Sequence, residues 1–411
     1  MKICFISHSS DLGGAERSLL YLLETLRNIP NIQLYVVLPS DGPLGAKLVS
    51  AGINYIIYSY KWWTVRRGES RKPVSTFFNN HLDSAEGLKN KIKKFHLDLM
   101  VTNTSVICIG ALVANMLKIP HVWCVRELGE KDHGFIFEFG FAFTSKFIND
   151  FSSRVIFNSQ AVMKEFGKYI FRAEPTVVYN SLTINKKLSR EQSIVRFRYP
   201  NAFKLLIAGT ISKKKGQLDA IRAASLLLNR GRDVELLLVG KCTDSALMEK
   251  IHNLIDKNRK RQHFQVRDFI EDPYPLFRQC DAVLVCSKNE GFGRTILEGM
   301  LFKKPVIATN GGGVPEIITH EKNGLLYTHG NYKDLANKIE LVMENSKLRK
   351  SIIMSGFNTA KAKFSNKNYS YKLANIFKST RVFSAPPKIW VKRLQINTKR
   401  VRKLGLEFSN F

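Results

Sequence analysis

Ser287-Lys288-Asn289-Glu290-Gly291-Phe292-Gly293-Arg294-Thr295-Ile296-Leu297-Glu298-Gly299-Met300 follows directly on the apolar run Ala282–Cys286. The reading is a buried strand, a glycine-containing turn, and a helix that begins near Arg294 or Thr295. A helix N-terminus presents unpaired N–H groups and a partial positive charge, which suits a diphosphate. Glycines at 291 and 293 let the backbone approach a ligand without a Cβ in the way. Glu298, one turn into the helix, can accept two hydroxyl hydrogen bonds of the kind a ribose offers. Glu290, before the turn, can reach the other end of the same ligand. The spacing is equally compatible with two solvated glutamates beside an ordinary loop.

Working outward, the stretch sits in a series of short apolar strands: Lys204–Ala208, Glu235–Val239, Phe264–Phe269, Ala282–Cys286 and Pro305–Thr309, separated by helical segments such as Gln217–Asn229 and Ser245–Asp256. An earlier series has the same form: residues 2–7, Gln33–Leu38, Asn54–Tyr58, Leu97–Asn103, His121–Arg126 and Ser153–Asn158. Strands alternating with helices predict parallel sheets with crossover connections. Two such series predict an α/β protein of two Rossmann-like domains, at residues 1–185 and 186–365, with the polar stretch Asn185–Arg198 as linker. Residues 366–411 are read as a final helix and basic tail, either packing back on the first domain or forming a surface contact of their own. A ligand is expected at the carboxyl ends of the strands.

The residues around 287–300 resemble retaining glycosyltransferase family 4. Glu290, seven intervening residues and Glu298 match that family's EX7E motif, in its form E-G-F-G-x-x-x-x-E. The likeness continues through Lys304–Thr309, Gly311–Ile318 and Asn323–Leu326. Upstream, Gly209 to Gly216 is similar to the first loop of the nucleotide domain, and Gly13-Gly14-Ala15-Glu16-Arg17 to the glycine-rich loop of the acceptor domain. The resemblance covers residues 1–375 and implies a GT-B fold, two Rossmann-like parallel-sheet domains facing across a cleft. It implies that Glu290 binds donor-sugar hydroxyls, Glu298 the ribose, and that Lys215 neutralises the diphosphate. Backbone amides around Phe292, Gly293, Arg294 and Thr295 contact phosphate and sugar, and Gly13 and Gly14 close over the phosphates.

Two positions depart from the pattern. Thr210 stands where the family has an arginine, leaving Lys213, Lys214 or Arg294 to supply that charge. Val125-Arg126-Glu127 stands where a His-Glu pair is common. A guanidinium cannot act as a base, so Arg126 is read either as an anion-binding residue or as half of a structural ion pair, with His133 as a substitute for the missing histidine. His8, after the first strand, is open between function and structure. His121 belongs to a buried strand.

The implied function is a retaining, metal-independent glycosyltransferase. It moves a sugar from a nucleoside-diphosphate sugar to a lipid-linked or polysaccharide acceptor. Alternatives are an inactive nucleotide-sugar-binding protein on the same fold, or a sugar-nucleotide epimerase. A NAD-dependent dehydrogenase is disfavoured because no Gly-x-Gly-x-x-Gly follows the first strand of either series. No Asp-x-Asp pair occurs, so neither a metal nor another cofactor is expected.

Net charge is +30 over 411 residues, which favours polyanionic partners. Without an RNA-binding aromatic signature, zinc finger or basic zipper, nucleic acid is not the expected one. Six cysteines without Cys-x-x-Cys spacing read as reduced core thiols. The longest apolar run, Val106–Ala114, falls short of the ~18 residues of a membrane span. The opening residues pass directly into a strand, without a signal-peptide core. A bacterial cytoplasmic protein, peripheral at the inner face of the membrane, is expected. Trp62 and Trp63 next to Arg66, Arg67, Arg71 and Lys72 suit an anionic membrane or acceptor surface. The phenylalanines at 135, 137, 139, 141, 143 and 147 are either a second such surface or core filling.

Overall fold

The computed structural model describes residues 1–65, 73–182, 184, 195–382 and 385–393. Much of the expected linker, together with Arg66, Arg67, Arg71 and Lys72, lies outside them. The chain divides into one unit of residues Met1–Ser181 with Asn366–Phe411, and a second of Leu182–Ser365.

The first unit is built on β1 (Lys2–Ile6), β2 (Gln33–Leu38), β3 (Tyr55–Ile57), β4 (Thr64–Val65), β5 (Leu99–Thr102), β6 (His121–Val125), β7 (Ile136–Phe137), β8 (Arg154–Phe157) and β9 (Glu174–Val177). Seven of these form a parallel sheet in the order β3-β2-β1-β5-β6-β8-β9, and β4 pairs antiparallel with β7. Ile3, Cys4, Phe5 and Ile6 are fully buried, as in a sheet covered on both faces. The covering helices are α1 (Gly14–Leu26), α2 (Pro43–Ser50), α3 (Val74–Ile92), α4 (Ile109–Leu117), α5 (Phe141–Asp150) and α6 (Gln160–Gly167). Strand order reverses between β1 and β5, where Ile3 faces Leu99 and Ile6 faces Thr102. The loops after these two strands therefore diverge and leave a crevice at their carboxyl ends.

The second unit repeats the plan with β10 (Phe203–Ala208), β11 (Val234–Val239), β12 (Phe264–Arg267), β13 (Ala282–Val285), β14 (Val306–Thr309) and β15 (Leu325–Tyr327). All are parallel, in the order β12-β11-β10-β13-β14-β15. Its helices are α7 (Gln217–Asn229), α8 (Ser245–Asp256), α9 (Tyr274–Gln279), α10 (Arg294–Leu301), α11 (Val314–Ile317), α12 (Tyr332–Glu344) and α13 (Ser346–Lys363). Helix α8 shows how local sequence positions them. Asp244 caps it by accepting from the Leu247 N–H, and Leu247, Ile251 and Ile255, spaced by one turn, enter the core. Here the order reverses between β10 and β13.

After the second unit the chain rejoins the first. In α14 (Asn366–Ser379), Leu373 and Phe377 join the cluster that holds Phe5 and Leu19, with the Phe377 and Phe5 rings 5.9 Å apart. In α15 (Ile389–Arg393), Trp390 is fully buried against Phe143, Phe147 and Phe151, and donates its indole N–H to Asp150. The described part of the tail is thus a piece of the first unit's core.

The expectation of a membrane or acceptor surface at Trp62 and Trp63 needs correction at Trp63. Trp63 is 1% exposed, stacks on Trp123 at 5.7 Å and donates to the Ser105 carbonyl at 2.6 Å. Trp62 is half-buried and donates to the His8 carbonyl at 2.7 Å. Trp63 is an internal fitting, whereas Trp62 lines the β1–β5 crevice, because the loop between β3 and β4 folds over it. The phenylalanine stretch forms β7 and α5. Phe137 and Phe147 are buried, and Phe135, Phe139, Phe141 and Phe143 pack against the same cluster. All six cysteines are free and five are buried, with burial pushing the Cys124 thiol up to about 11. No helix among the described residues is long and apolar enough to cross a membrane.

Candidate active site

In the second unit, the loops after β10 and β13 flank the reversal in strand order, so the sheet itself delivers their residues to one place. The β10 loop runs from Gly209 into a 3₁₀ turn, Lys213–Lys215, and enters α7 through Gly216. Gly216 has φ +68°, and a Cβ there would stand 2.1 Å from the Cys286 carbonyl oxygen at the end of β13. Only glycine lets the two loops approach so closely. Lys288 N–H donates to the Lys214 carbonyl at 2.9 Å and ties them together.

This contact brings Lys215 to Glu290, with Nζ 2.6 Å from Oε1 and both side chains mostly shielded, 19% and 15% exposed. The Ser287 hydroxyl donates to the same carboxylate oxygen. Glu290 is held from its other side by the β14–α11 loop, where the Gly313 N–H donates to its carbonyl at 2.8 Å. A shielded carboxylate with a cation and a hydroxyl on one oxygen is a fixed polar anchor rather than a solvated charge.

Helix α10 starts as expected. Gly293, with φ +101°, precedes it, Arg294 is its first residue, and the Thr295 hydroxyl donates to the Ala208 carbonyl at 3.3 Å. The Phe292 side chain turns away into a contact with Phe364, 5.6 Å between centroids, and is 4% exposed. Glu298 is 7% exposed and accepts from Arg294 Nε at 3.0 Å. The three cations that stood in for the absent arginine at Thr210 thus differ. Lys213 lies 3.3 Å from Asp244, on the exterior, whereas Arg294 is bound into the site by Glu298. Lys214 contributes its carbonyl to the loop tie.

The remaining predicted residues belong to the first unit. Gly13 precedes α1 and Gly14 opens it; both are exposed. Arg126 is buried at the end of β6, with Nε donating to Asn103 Oδ1 at 3.0 Å, Nη1 to Asn180 Oδ1 at 2.6 Å and Nη2 to the Tyr369 hydroxyl at 3.3 Å. These hydrogen-bond partners are neutral oxygens, where a structural carboxylate was one of the expectations. Glu127 accepts from the Ser105 and Arg126 N–H groups, and burial pushes its carboxyl up to about 7. His121 is a core residue, between Thr102 and Ser152. His133 is exposed.

Sequence reasoning passed over Glu16. It is 3% exposed, lies 3.1 Å from His8 Nε2 and accepts from the Ser9 hydroxyl at 2.5 Å. A glutamate two residues after a glycine pair and facing inward is its one signal, and that signal is weak until the fold is known.

Two Rossmann-like parallel-sheet units in one chain are the GT-B architecture, and solved structures of that class superpose on this one. HepE from Anabaena, crystallised with UDP and glucose, is 25% identical with a TM-score of 0.74, covering 92% of this chain and 100% of that one. Residues 12–185 match the model of Glycosyltransferase Family 4, and residues 189–359 that of Glycosyl transferases group 1. An uncharacterized glycosyltransferase of Methanocaldococcus jannaschii is 30% identical over 288 residues, 67% of this chain and 74% of that protein. The Staphylococcus aureus capsular polysaccharide biosynthesis glycosyltransferase CapM is 26% identical over 159 residues, 38% of this chain and 41% of that protein. The chain belongs to the family-4 glycosyltransferases.

Proposed function

We propose that this glycosyltransferase transfers a sugar, with retention of anomeric configuration, from a nucleoside-diphosphate sugar to a glycan or lipid-linked acceptor in polysaccharide assembly, working at the inner face of a bacterial membrane. The observation that carries the donor half of this reading is the Lys215–Glu290 pair beside the N-terminus of α10. Loss of a nucleoside diphosphate develops negative charge on phosphate oxygens. The Lys215 ammonium, the Arg294 guanidinium and the first N–H groups of α10 supply fixed positive potential for that charge without reorganising. Glu290 takes sugar hydroxyls on the carboxylate edge away from Lys215, and Glu298 takes the ribose. HepE, which was crystallised with UDP, with UDP-glucose, and with UDP and glucose, supports a nucleotide-sugar donor. The name of CapM supports a polysaccharide product.

In this mechanism the chain's cations carry the work that a divalent ion does elsewhere, so transfer is metal-independent. Retention requires the acceptor to enter on the face that the diphosphate leaves. Fixed phosphate oxygens beside Lys215 then take up the acceptor proton as the old bond breaks.

The test is turnover of a panel of nucleotide sugars in the absence of acceptor, followed by nuclear magnetic resonance of the sugar released or transferred. One donor is expected to be consumed, giving product of the donor's own anomeric configuration. No consumption of any donor, epimerised nucleotide sugar, or inverted product would overturn the proposal.

A further inference from the structure

The β1–β5 crevice of the first unit holds a second cluster that the donor chemistry does not use. His8 follows β1, and its Nε2 lies 3.1 Å from Glu16 Oε1 on α1. Glu16 is itself anchored by Ser9. Gly13 makes room for this carboxylate, since a Cβ at position 13 would stand 2.7 Å from Glu16 Oε2. A carboxylate on Nε2 fixes the tautomer: Nε2 carries the proton, and Nδ1 is left with a lone pair. That Nδ1 is buried and has no hydrogen-bond partner among the described residues, although the side chain as a whole is still 13% exposed.

Beside it runs an aromatic arc. The His8 ring lies 5.3 Å from Trp62, Trp62 meets Phe135 edge-on at 5.7 Å, and Phe135 stacks on His133 at 5.2 Å. Trp62 is anchored through its N–H to the His8 carbonyl, so ring and platform move together. A shielded acceptor atom without a donor has lost its water without compensation, and such groups are retained where a ligand or ordered water completes them. A fixed hydrogen-bond acceptor beside an aromatic wall is the chemistry that recognises a pyranose, which offers a hydroxyl and an apolar C–H face together.

We infer that His8, set by Glu16, accepts a hydrogen bond from a hydroxyl of an acceptor pyranose seated against Trp62 in the β1–β5 crevice of the first unit. The inference rests on the glycosyltransferase reading for the identity of the pyranose as acceptor. Ring neutrality agrees with it. Burial holds the His8 pKa below its ordinary value; Glu16 opposes that shift, His133 and Arg126 reinforce it, and Asp11 opposes it. His8 is a positioning residue in this account, since the acceptor proton goes to the departing phosphate.

The experiment uses the full chain with ¹⁵N-labelled histidine, the His8 signals being assigned by their loss in His8→Gln. The probes are methyl glucoside, methyl galactoside and methyl mannoside. The expected result is a neutral ring with the proton on Nε2, and an Nδ1 signal that shifts saturably with at least one glycoside. Affinity for that glycoside should fall about tenfold in His8→Gln, the value of one lost hydrogen bond. Nucleoside-diphosphate binding should stay within about threefold, because Lys215, Arg294 and Glu298, to which the donor reading assigns it, belong to the second unit. A proton on Nδ1, or a His8 signal unmoved by all three glycosides, would overturn the inference and leave the donor assignment standing. Failure of nucleoside-diphosphate binding in the parent protein would instead strike the glycosyltransferase reading.

Discussion

Lys215 Nζ stands 2.6 Å from Glu290 Oε1, a contact between residues 75 positions apart that joins the loops after β10 and β13. Each residue fixes the other, and their shielding keeps the pair from dissolving into water. Their roles toward the donor nevertheless separate. Lys215→Met should weaken nucleoside-diphosphate binding roughly 10- to 150-fold, the loss of one charge-assisted hydrogen bond. Glu290→Gln should leave diphosphate affinity within about threefold and lower kcat on the order of 100-fold, because its carboxylate addresses the transferred sugar. Calorimetry and steady-state kinetics on the two variants decide this. A Glu290→Gln variant that loses diphosphate binding contradicts the assignment.

Activity should survive excess chelator. Lys215, Arg294 and the α10 N-terminus together provide the positive potential that the leaving diphosphate needs. Activity abolished by chelator and restored by titrating magnesium or manganese would show that they do not suffice.

Trp63 is expected to act on stability and not on surface binding. Emptying its place against Trp123, Phe137 and Phe147 should cost about 3–5 kcal/mol and lower the melting temperature on the order of 10 °C. Binding of the folded Trp63→Ala protein to anionic vesicles should be unchanged. Neutralising Arg66, Arg67, Arg71 and Lys72 together should instead release the protein from vesicles and leave donor binding intact, at about 1 kcal/mol per cation. Sedimentation with vesicles and a thermal melt separate the two effects. Undiminished vesicle binding by the neutralised variant would remove the membrane from the account.

The pH dependence follows from two buried rings. Burial pushes His121 down to about 3 and His81 to about 4, from 6.5 for the ordinary imidazole. In the fold both stay neutral, while the unfolded chain takes up protons below pH 6.5. Their contribution to stability is therefore complete above that value and is lost as the pH falls toward 4. For His121 the loss between pH 6.5 and 5 is roughly 2 kcal/mol. Melting temperatures at the two pH values should show the decline in the native protein and a shallower one in His121→Asn. Equal slopes would contradict it.

Much of the fold is written in local pattern. Runs such as Leu205–Ala208 and Ala282–Val285 are apolar throughout because a parallel sheet buries both faces, and the Gly293–Arg294 boundary was readable from turn chemistry. Glu290 and Glu298 were findable because their spacing is local, one residue on each side of a single turn. The pairing of Lys215 with Glu290, and of His8 with Glu16, was not, since each depends on where a strand or helix places its end. Trp63 misleads for a physical reason. Adjacent tryptophans beside arginines look alike whether the indoles meet lipid or find carbonyls, and here the Ser105 carbonyl decides. Arg126 similarly offered no hint of Asn180 or of Tyr369, which comes from the far end of the chain.

Glu298 is the residue through which nucleotide-sugar recognition is most directly tested. It is buried one turn into α10, tied to Arg294, and assigned to the ribose of the donor. Calorimetric titration of UDP, GDP and ADP into the parent protein and into Glu298→Ala, with a melt to confirm that the variant is folded, is the measurement. Saturable binding of one of these nucleotides by the parent protein is expected. In the variant that affinity should fall by about 2–3 kcal/mol, roughly 30- to 150-fold. No binding of any nucleoside diphosphate by the parent protein, or equal affinity in the folded variant, would contradict nucleotide-sugar recognition through Glu298.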